Sequence, residues 1–415
     1  NIQRVLDPKI VELKDAYNGH IPISAVFAFL GILSCALKGH QYVVLANAYT
    51  SNFGNIRYKG EIINHQWSKS AEFEELFQNY VKKFITPDIT YFAVLRQFHE
   101  IRVAELFAKH SKEYFSVFTS CNKNFKAFGE RQKALWCGTC PKCAFVFLIF
   151  SPFMKKTELV KIFGKNLFEE EALLPLYEDL LGFGNIKPFD CVGTFEESQA
   201  ALYLASKKDF SSDYIVRKLS SKIKKPQEIL EKVFKTYSAP PLPAQFKLLG
   251  LKNVCILGYA REAKVTEKYI QSRYPGLEIG ILDETRDKQY LKKQAQYDFA
   301  VKTPAISRDK VSIPYTTATN LFFAENKNFT IGITGSKGKS TTTTLIYEML
   351  KAGGKKVRLL GNVGNPMLEA VMTKTKKDEI LVIELSSYML DDIEYSPNVA
   401  VLLNLFPEHM IIMVE

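Results

Sequence analysis

Hydrophobic positions divide the chain into two regimes. Up to about residue 235 they fall in helix-like groups rich in Phe, Tyr and Lys, interrupted by short strand-like runs such as QYVVLAN (41–47). Then TYSAPPLPAQF (236–246) carries Pro240, Pro241 and Pro243, which suit a semi-rigid linker. Beyond it, short runs apolar on both faces alternate with polar helical stretches. NVCILGYA (253–260) runs into a glycine, and EIGILD (278–283) follows a polar helix, giving a strand–helix–strand unit. A further region begins at FTIGITGSKGKSTTTTLIYEMLKAGG (329–354). It continues through VRLLGNVGNP (357–366), MLEAVM, EILVIELSSY (379–388) and VAVLLN (399–404), the pattern of a buried parallel sheet. The pattern predicts a multidomain α/β chain with domains over 1–235, 247–326 and 327–415, joined by a linker over 236–246.

The longest apolar run is IPISAVFAFLGILSCAL (21–37). Its length lies at the lower limit for a membrane span, but Pro22 and Ser24 stand at its start and no basic flank precedes it. It predicts a buried helix with Pro22 in the first turn. CAFVFLIF is too short to span and predicts another core segment.

A net charge of +11 fits a protein that handles anions, either nucleotides or nucleic acid. The short basic clusters SSKIKKP and TKTKKD read as solvated surface. Seven cysteines make no disulfide scaffold at this length, and no signal-peptide pattern opens the chain. A reducing, cytoplasmic compartment is therefore expected, in which clustered cysteines bind metal. The chain opens on Asn1 and stops at MIIMVE, and both ends are expected to be cuts in something longer.

The stretch ITGSKGKSTTTTLIYEML carries the most specific chemistry. A strand ends at Thr334, a loop holds Gly335, Ser336, Lys337 and Gly338, and Lys339, Ser340 and Thr341 open a helix. Such a loop lets backbone N–H groups surround phosphate oxygens at a helix N-terminus. Lys339 would reach the terminal phosphates of ATP, and the Ser340 hydroxyl would ligate Mg2+. The generic phosphate-loop pattern wants a glycine where Ile333 stands. The shorter G-x-x-G-K-S-T form closely resembles the Mur ligases, which build the peptide stem of peptidoglycan. GNVGNP (361–366), ELSSYML (384–390) and NLFPEHM (404–410) resemble further motifs of that family, in order. The resemblance implies Glu384 and His409 as Mg2+ ligands, with Lys339 and His409 as catalytic residues. It makes Asn362 a contact to substrate or nucleotide.

The preceding region resembles the glutamate-adding member of that family. ILGYAREAK (256–264) stands in place of the uridine-diphosphate loop, with Gly258 its only usual glycine, and Asp283 matches the uracil-side acid. KTPAISRDKV (302–311) resembles its Ser-Pro-Gly-Ile segment, with Thr303 and Ala305 substituted. The implied domains are a Rossmann-like UDP-binding domain (247–326) and an incomplete ATPase domain (327–415). The implied reaction is ATP-dependent amide formation between glutamate and a UDP-N-acetylmuramoyl substrate, through an acyl phosphate.

In the first region, WCGTCPKCAF (136–145) places Cys137, Cys140 and Cys143 at three-residue spacing, and FTSCN adds Cys121. Four soft ligands make a complete tetrahedral set for structural Zn2+. An iron–sulfur cluster and free or redox thiols remain alternatives. Cys35, Cys191 and Cys255 lie in apolar stretches and read as core.

This arrangement resembles the cysteine cluster of PP-loop ATP pyrophosphatases, and more narrowly the UDP-MurNAc-L-Ala-L-Glu epimerases. NGHIPISA (18–25), ANAYTSNFGN (46–55), INHQWSKSAEFE (63–74) and KPFDCVGTFEES (187–198) fit that family in order. A helix-rich α/β PP-loop-like module is implied. In it ATP would adenylate the terminal glutamate and a base would remove its acidified α-proton. The polar residues inside these blocks are the site candidates: His20 and His65 as catalytic groups, Asn47, Asn64, Lys69 and Asp190 as substrate contacts. None is singled out as the base. The Ser-Gly-Gly-x-Asp-Ser signature of PP-loop enzymes does not occur in the sequence.

Together these readings give the expectation of a fragment of an epimerase–ligase fusion acting on peptidoglycan precursors, with no nucleic acid or membrane span expected. The epimerase is expected to be without its N-terminal loop and the ligase without its C-terminal portion. Two readings from other classes stand beside it: a PP-loop enzyme modifying nucleobases or tRNA, and a UDP-sugar-peptide binding module without turnover.

Overall fold

The computed structural model describes residues 23–54, 56–124, 133–184, 187–188, 190–237, 239, 242–373 and 378–406. His20, Pro22, Pro240, Pro241 and His409 lie outside the described residues. The chain forms two compact units, 1–241 and 242–415.

In the first unit the helix Ile23–Lys38 leads into β1 (Tyr42–Leu45). A hairpin of β2 (Ile56–Tyr58) and β3 (Glu61–Ile63) follows. Its turn residues Lys59 and Gly60 sit at φ +49° and +85°, the left-handed conformations that a tight two-residue hairpin needs. The helix Ala71–Phe84 comes next, and then β4 (Thr90–Ala93), which pairs in parallel with β1. Phe73, Phe77 and Val81 recur every fourth residue and so share one helix face. That face packs with Ala28, Ile32, Cys35, Ile89 and Tyr91.

The helix Ile23–Lys38 departs from its expected burial. Ala28, Ile32 and Cys35 are buried, whereas Phe29, Leu33 and Leu37 are 48%, 55% and 74% exposed. The first core lies along one side of this helix only, and its composition is apolar all round. Among the described residues no helix is long and apolar enough to cross a membrane.

A second, helical core fills the rest of this unit, built from Glu100–His110, Pro141–Phe150, Lys156–Phe163, Leu174–Leu181, Phe195–Ala205, Tyr214–Leu219 and Pro226–Phe234. Pro141 opens its central helix at the position where a missing N–H costs nothing. From Cys143 to Phe150 every residue of that helix is buried, as CAFVFLIF predicts.

The second unit carries two parallel sheets. β5 (Asn253–Leu257), β6 (Glu278–Leu282), β7 (Phe299–Lys302) and β8 (Tyr315–Thr317) lie in the order β6-β5-β7-β8. β9 (Thr330–Thr334), β10 (Val357–Gly361), β11 (Ile380–Glu384) and β12 (Val399–Leu402) lie in the order β10-β11-β9-β12. The molecule is thus mixed α/β with parallel sheets. A buried ion pair between Lys302, ending β7, and Asp392, beyond β11, ties these sheets together within the unit. Tyr315 donates to Asp392 Oδ1 at 2.7 Å, and Lys302 donates to the Ile306 carbonyl at 2.9 Å.

Candidate active sites

The phosphate loop joins β9 to the helix Lys339–Ala352. Gly335 and Gly338 adopt φ +142° and +84°, conformations closed to most side chains. The loop is held from outside by Asn404. The Asn404 carbonyl accepts the Ser336 N–H at 3.0 Å, its Oδ1 accepts the Lys337 N–H at 2.9 Å, and its Nδ2 donates to the Lys337 carbonyl at 3.0 Å. Lys339 folds back and donates to the carbonyls of Gly335 (2.6 Å) and Ser336 (2.9 Å). Ser340 and Thr341 are exposed at the start of the helix.

Glu384 ends β11 at 1% exposure. Its Oε1 accepts from the Asn362 side chain at 2.8 Å, and its Oε2 is buried without a hydrogen-bond partner among the described residues. A carboxylate oxygen left bare in such a place is costly unless a cation meets it. The residues present therefore fit a divalent cation. Gly361 faces Glu384 across β10–β11 at φ +99°, and a Cβ there would strike the Glu384 carbonyl.

Lys339, Asn362, Ser386, Ser387 and Tyr388 line a cavity of about 670 Å3 together with Ala260, Glu262, Thr303 and Ala305. The structure thus brings the phosphate loop, the Gly-Asn turn and the loops after β5 and β7 to one opening. Glu262 is half-buried at its wall, and burial pushes its carboxyl up to about 7. Gly258, at φ +82°, lets Thr303 approach so closely that a Cβ would overlap its hydroxyl. Asp283 spends its carboxylate locally, accepting from the N–H of Thr285 at 2.9 Å and of Tyr259 at 2.6 Å. The hydrogen bonds from Thr285 and Tyr259 hold it below the usual carboxylate range.

In the first unit the sulfurs of Cys121, Cys137, Cys140 and Cys143 lie within 4.8 Å of one another. Neighbouring pairs are 3.5, 3.7 and 4.0 Å apart, too far for disulfides. A zinc ion with sulfurs at ~2.3 Å requires a spacing of about 3.8 Å, so the set fits a tetrahedral ion. Cys140 stands at the N-cap of the buried helix, and Trp136, next to Cys137 in sequence, packs against Phe163 with ring centroids 4.6 Å apart.

The polar candidates of this unit differ in what they touch. Asn64 donates to the Ser51 carbonyl at 2.9 Å and accepts the Gln66 N–H at 3.0 Å, shaping the turn that presents His65. It also lines a cavity of about 580 Å3 with Asn52, Trp67 and Glu72. Asp190 accepts from Asn122, beside the first cysteine. Asn47 is half-buried just beyond β1. Lys69 reaches Cys191, its Nζ donating to the sulfur at 3.8 Å, and His65 Nε2 lies 3.6 Å from the same sulfur. Cys191 is thus half-buried between two site candidates, where its apolar flanks predict plain core.

Buried polar groups that the sequence does not advertise hold these loops. Arg96 is 1% exposed, pairs with Glu74 at 2.8 Å, and donates to the carbonyls of Ala48 (2.9 Å) and Lys69 (2.7 Å). Glu197 accepts from Thr50 at 2.8 Å and lies 3.5 Å from His99. Burial pushes Glu197 up, but hydrogen bonds and charge from His99, with Thr194 and Thr50, more than offset this and hold it low. Burial raises Glu100, and the charge of Glu197 adds to this, against the pull of Lys142, Lys69 and Lys187. The only sequence signal for Cys191 and Glu197 was their place in the KPFDCVGTFEES block.

Comparison with known proteins places families on these segments. Residues 1–94 match the MurL N-terminal domain, 117–233 the MurL C-terminal domain, and 333–412 the Mur ligase middle domain. A UDP-N-acetyl-alpha-D-muramoyl-L-alanyl-L-glutamate epimerase of Xanthomonas oryzae pv. oryzae is 44% identical over 222 residues, 52% of this chain and 49% of that protein. A like-named protein of Salinispora tropica is 40% identical over 204 residues, 49% of this chain and 44% of that one. A UDP-N-acetylmuramoylalanine–D-glutamate ligase of Clostridium botulinum is 37% identical over 141 residues, 32% of this chain and 30% of that protein. The chain spans about half the length of the first two relatives and less of the third. The UDP-N-acetylmuramate:L-alanyl-gamma-D-glutamyl-meso-diaminopimelate ligase from Neisseria meningitides is 16% identical. It covers 40% of this chain and 64% of its own, at a TM-score of 0.25, a likeness that carries no argument. The chain therefore joins the N- and C-terminal domains of the MurL family to a middle domain of the Mur ligase family.

Proposed function

We propose that the chain serves two consecutive steps of peptidoglycan precursor synthesis. One joins glutamate to UDP-N-acetylmuramoyl-L-alanine at the expense of ATP, and the other inverts that glutamate. The observation that carries the ligase step is the bare, buried Oε2 of Glu384 beside Asn362, in the same sheet as the loop bearing Lys339. ATP would lie along Gly335, Ser336, Lys337, Gly338, Lys339, Ser340 and Thr341, its phosphates met by the helix N-terminus. Ser340, Glu384 and, by its motif, His409 would hold Mg2+, which when bound neutralises phosphate charge. Lys339 would release its two carbonyls and turn to the transferred phosphoryl group. The sheet β5–β8 would act as the UDP-binding domain, with Gly258 shaping the loop, Asp283 bracing it and Asn362 contacting substrate. The sheet β9–β12 would act as the ATPase domain.

The first unit would be the PP-loop-like epimerase, its four cysteines holding structural Zn2+. Lys142, Lys69 and Lys187, whose charges act on Glu100, are of the sign that would meet a substrate bearing carboxylates and a pyrophosphate. An epimerase acting on an L-alanyl-L-glutamyl stem has work only if the ligase installs L-glutamate. We therefore assign L-glutamate to the ligase step, although the Clostridium relative is named for D-glutamate.

The test supplies the full chain with ATP, Mg2+, UDP-N-acetylmuramoyl-L-alanine and either enantiomer of glutamate, and measures ADP. In parallel, the L-alanyl-L-glutamyl product is supplied with ATP, and AMP and the hand of the glutamate are measured. ADP with L-glutamate, and AMP with inversion, support the proposal. ATP binding with neither nucleotide product favours a binding module. Tight tRNA binding with a steep salt dependence favours the nucleic-acid reading.

A further inference from the structure

His65 and Lys69 lie four residues apart in one segment, and Cys191, 122 residues beyond Lys69, converges with them on one point. The Cys191 sulfur lies 3.6 Å from His65 Nε2 and 3.8 Å from Lys69 Nζ. All three residues are half-buried, so the group is held yet reachable. Each is anchored by a separate device. His65 sits in the turn that Asn64 builds, and the Lys69 carbonyl is gripped by Arg96. Cys191 lies between Asp190, bonded to Asn122, and the helix cap at Thr194. None of these anchors requires a thiol, an imidazole and an ammonium to meet. Together they are a nucleophile or base, a proton relay and a fixed positive charge, the setting in which thiolates act.

We infer that Cys191 is the catalytic base that takes the α-proton of the terminal glutamyl residue, a claim that rests on the epimerase reading above. The thiol first passes its proton to His65. The thiolate then takes the α-hydrogen: the C–H bond breaks, an S–H bond forms, and the electron pair moves into the activated carboxyl as an enolate. Lys69 supplies charge of the sign that stabilises both anions. Return of the proton from Cys191 restores the original hand. Delivery of a proton from water on the opposite face breaks an O–H bond and forms the new C–H bond with inversion. The hydroxide left behind takes the proton held by His65, so that Cys191 ends as a thiol and His65 neutral. A second water hydrolyses the acyl–adenylate and releases AMP, and no oxidant or reductant is consumed.

Alkylation and isotope exchange test this on the full zinc-loaded chain. Metal shields four cysteines, and Cys35 and Cys255 are buried, so iodoacetamide should label Cys191. UDP-N-acetylmuramoyl-L-alanyl-L-glutamate should block that label, and H65N and K69M should slow it. In D2O with ATP, the deuterium entering the α-carbon per AMP released should fall about 100-fold or more in Cys191→Ser. Melting temperatures of the variants separate this loss from misfolding. A wild-type exchange ratio in Cys191→Ser, or labelling indifferent to substrate, overturns the inference. If the wild-type chain releases no AMP, the epimerase reading fails by itself. Labelling indifferent to H65N and K69M would then overturn the Cys191 assignment separately.

Discussion

Asn362 holds Glu384 twice: its side-chain amide donates to Oε1 at 2.8 Å, and its backbone N–H donates to the Glu384 carbonyl at 3.2 Å. This leaves Oε2 as the one carboxylate oxygen for a cation. Glu384→Gln keeps a partner for Asn362 and removes the charge. Its Mg2+-dependent ADP release should fall about 100-fold or more, with melting little changed. ADP release at the wild-type rate would remove Glu384 from the site.

Glu262 gives a pH signature of its own. Its folded pKa of about 7 exceeds the ordinary carboxylate value, so the folded state binds more protons between the two. The associated stability is fully present below the ordinary carboxylate range and is lost as pH rises through about 7. The melting temperature of the wild-type chain should fall more steeply from pH 5 to 8, two readings about the shift, than that of Glu262→Gln. Parallel curves would refute it.

Trp136 serves as a reporter for the cysteine cluster. It is buried beside Cys137, and the other tryptophan, Trp67, is 44% exposed. Zinc removal by a chelator should redden the emission of Trp136 and destabilise the helical core by several kcal/mol, a loss reversed by added zinc. Cys143→Ser should reproduce the change without chelator. A chelator-treated chain that keeps its emission and its melting temperature would exclude a structural metal.

Arg96→Met would leave Glu74 buried without its ion-pair partner, which costs about 3–5 kcal/mol. It would also free the carbonyls of Ala48 and Lys69. Urea titration should show the stability loss, while the double variant Arg96→Met/Glu74→Leu should recover part of it. No recovery would mean that the two carbonyl bonds, not the ion pair, dominate.

Elements that repeat one local rule were legible in the sequence. Strand ends such as Leu257, Thr334 and Glu384, the helix after the phosphate loop, and the spacing of the cysteines all follow from short-range pattern. What the pattern could not show was partnership across long separations. Cys191 has apolar neighbours and reads as core, because nothing local points to His65, 126 residues away. Arg96 and Glu74 look like ordinary surface charges until the fold buries both. The helix Ile23–Lys38 misled in the opposite direction: apolar composition says that a face can be buried, and only the neighbours decide whether it is.

The parked position of Lys339 sets a threshold for whatever enters the phosphate loop. Its ammonium already has two carbonyl acceptors, at 2.6 and 2.9 Å, so a ligand must outbid both to recruit it. A group with a single, singly charged oxygen offers less than the lysine gives up, whereas a polyphosphate tail offers more. If the loop binds ATP as proposed, it would discriminate by accumulated charge before any contact to base or sugar is made.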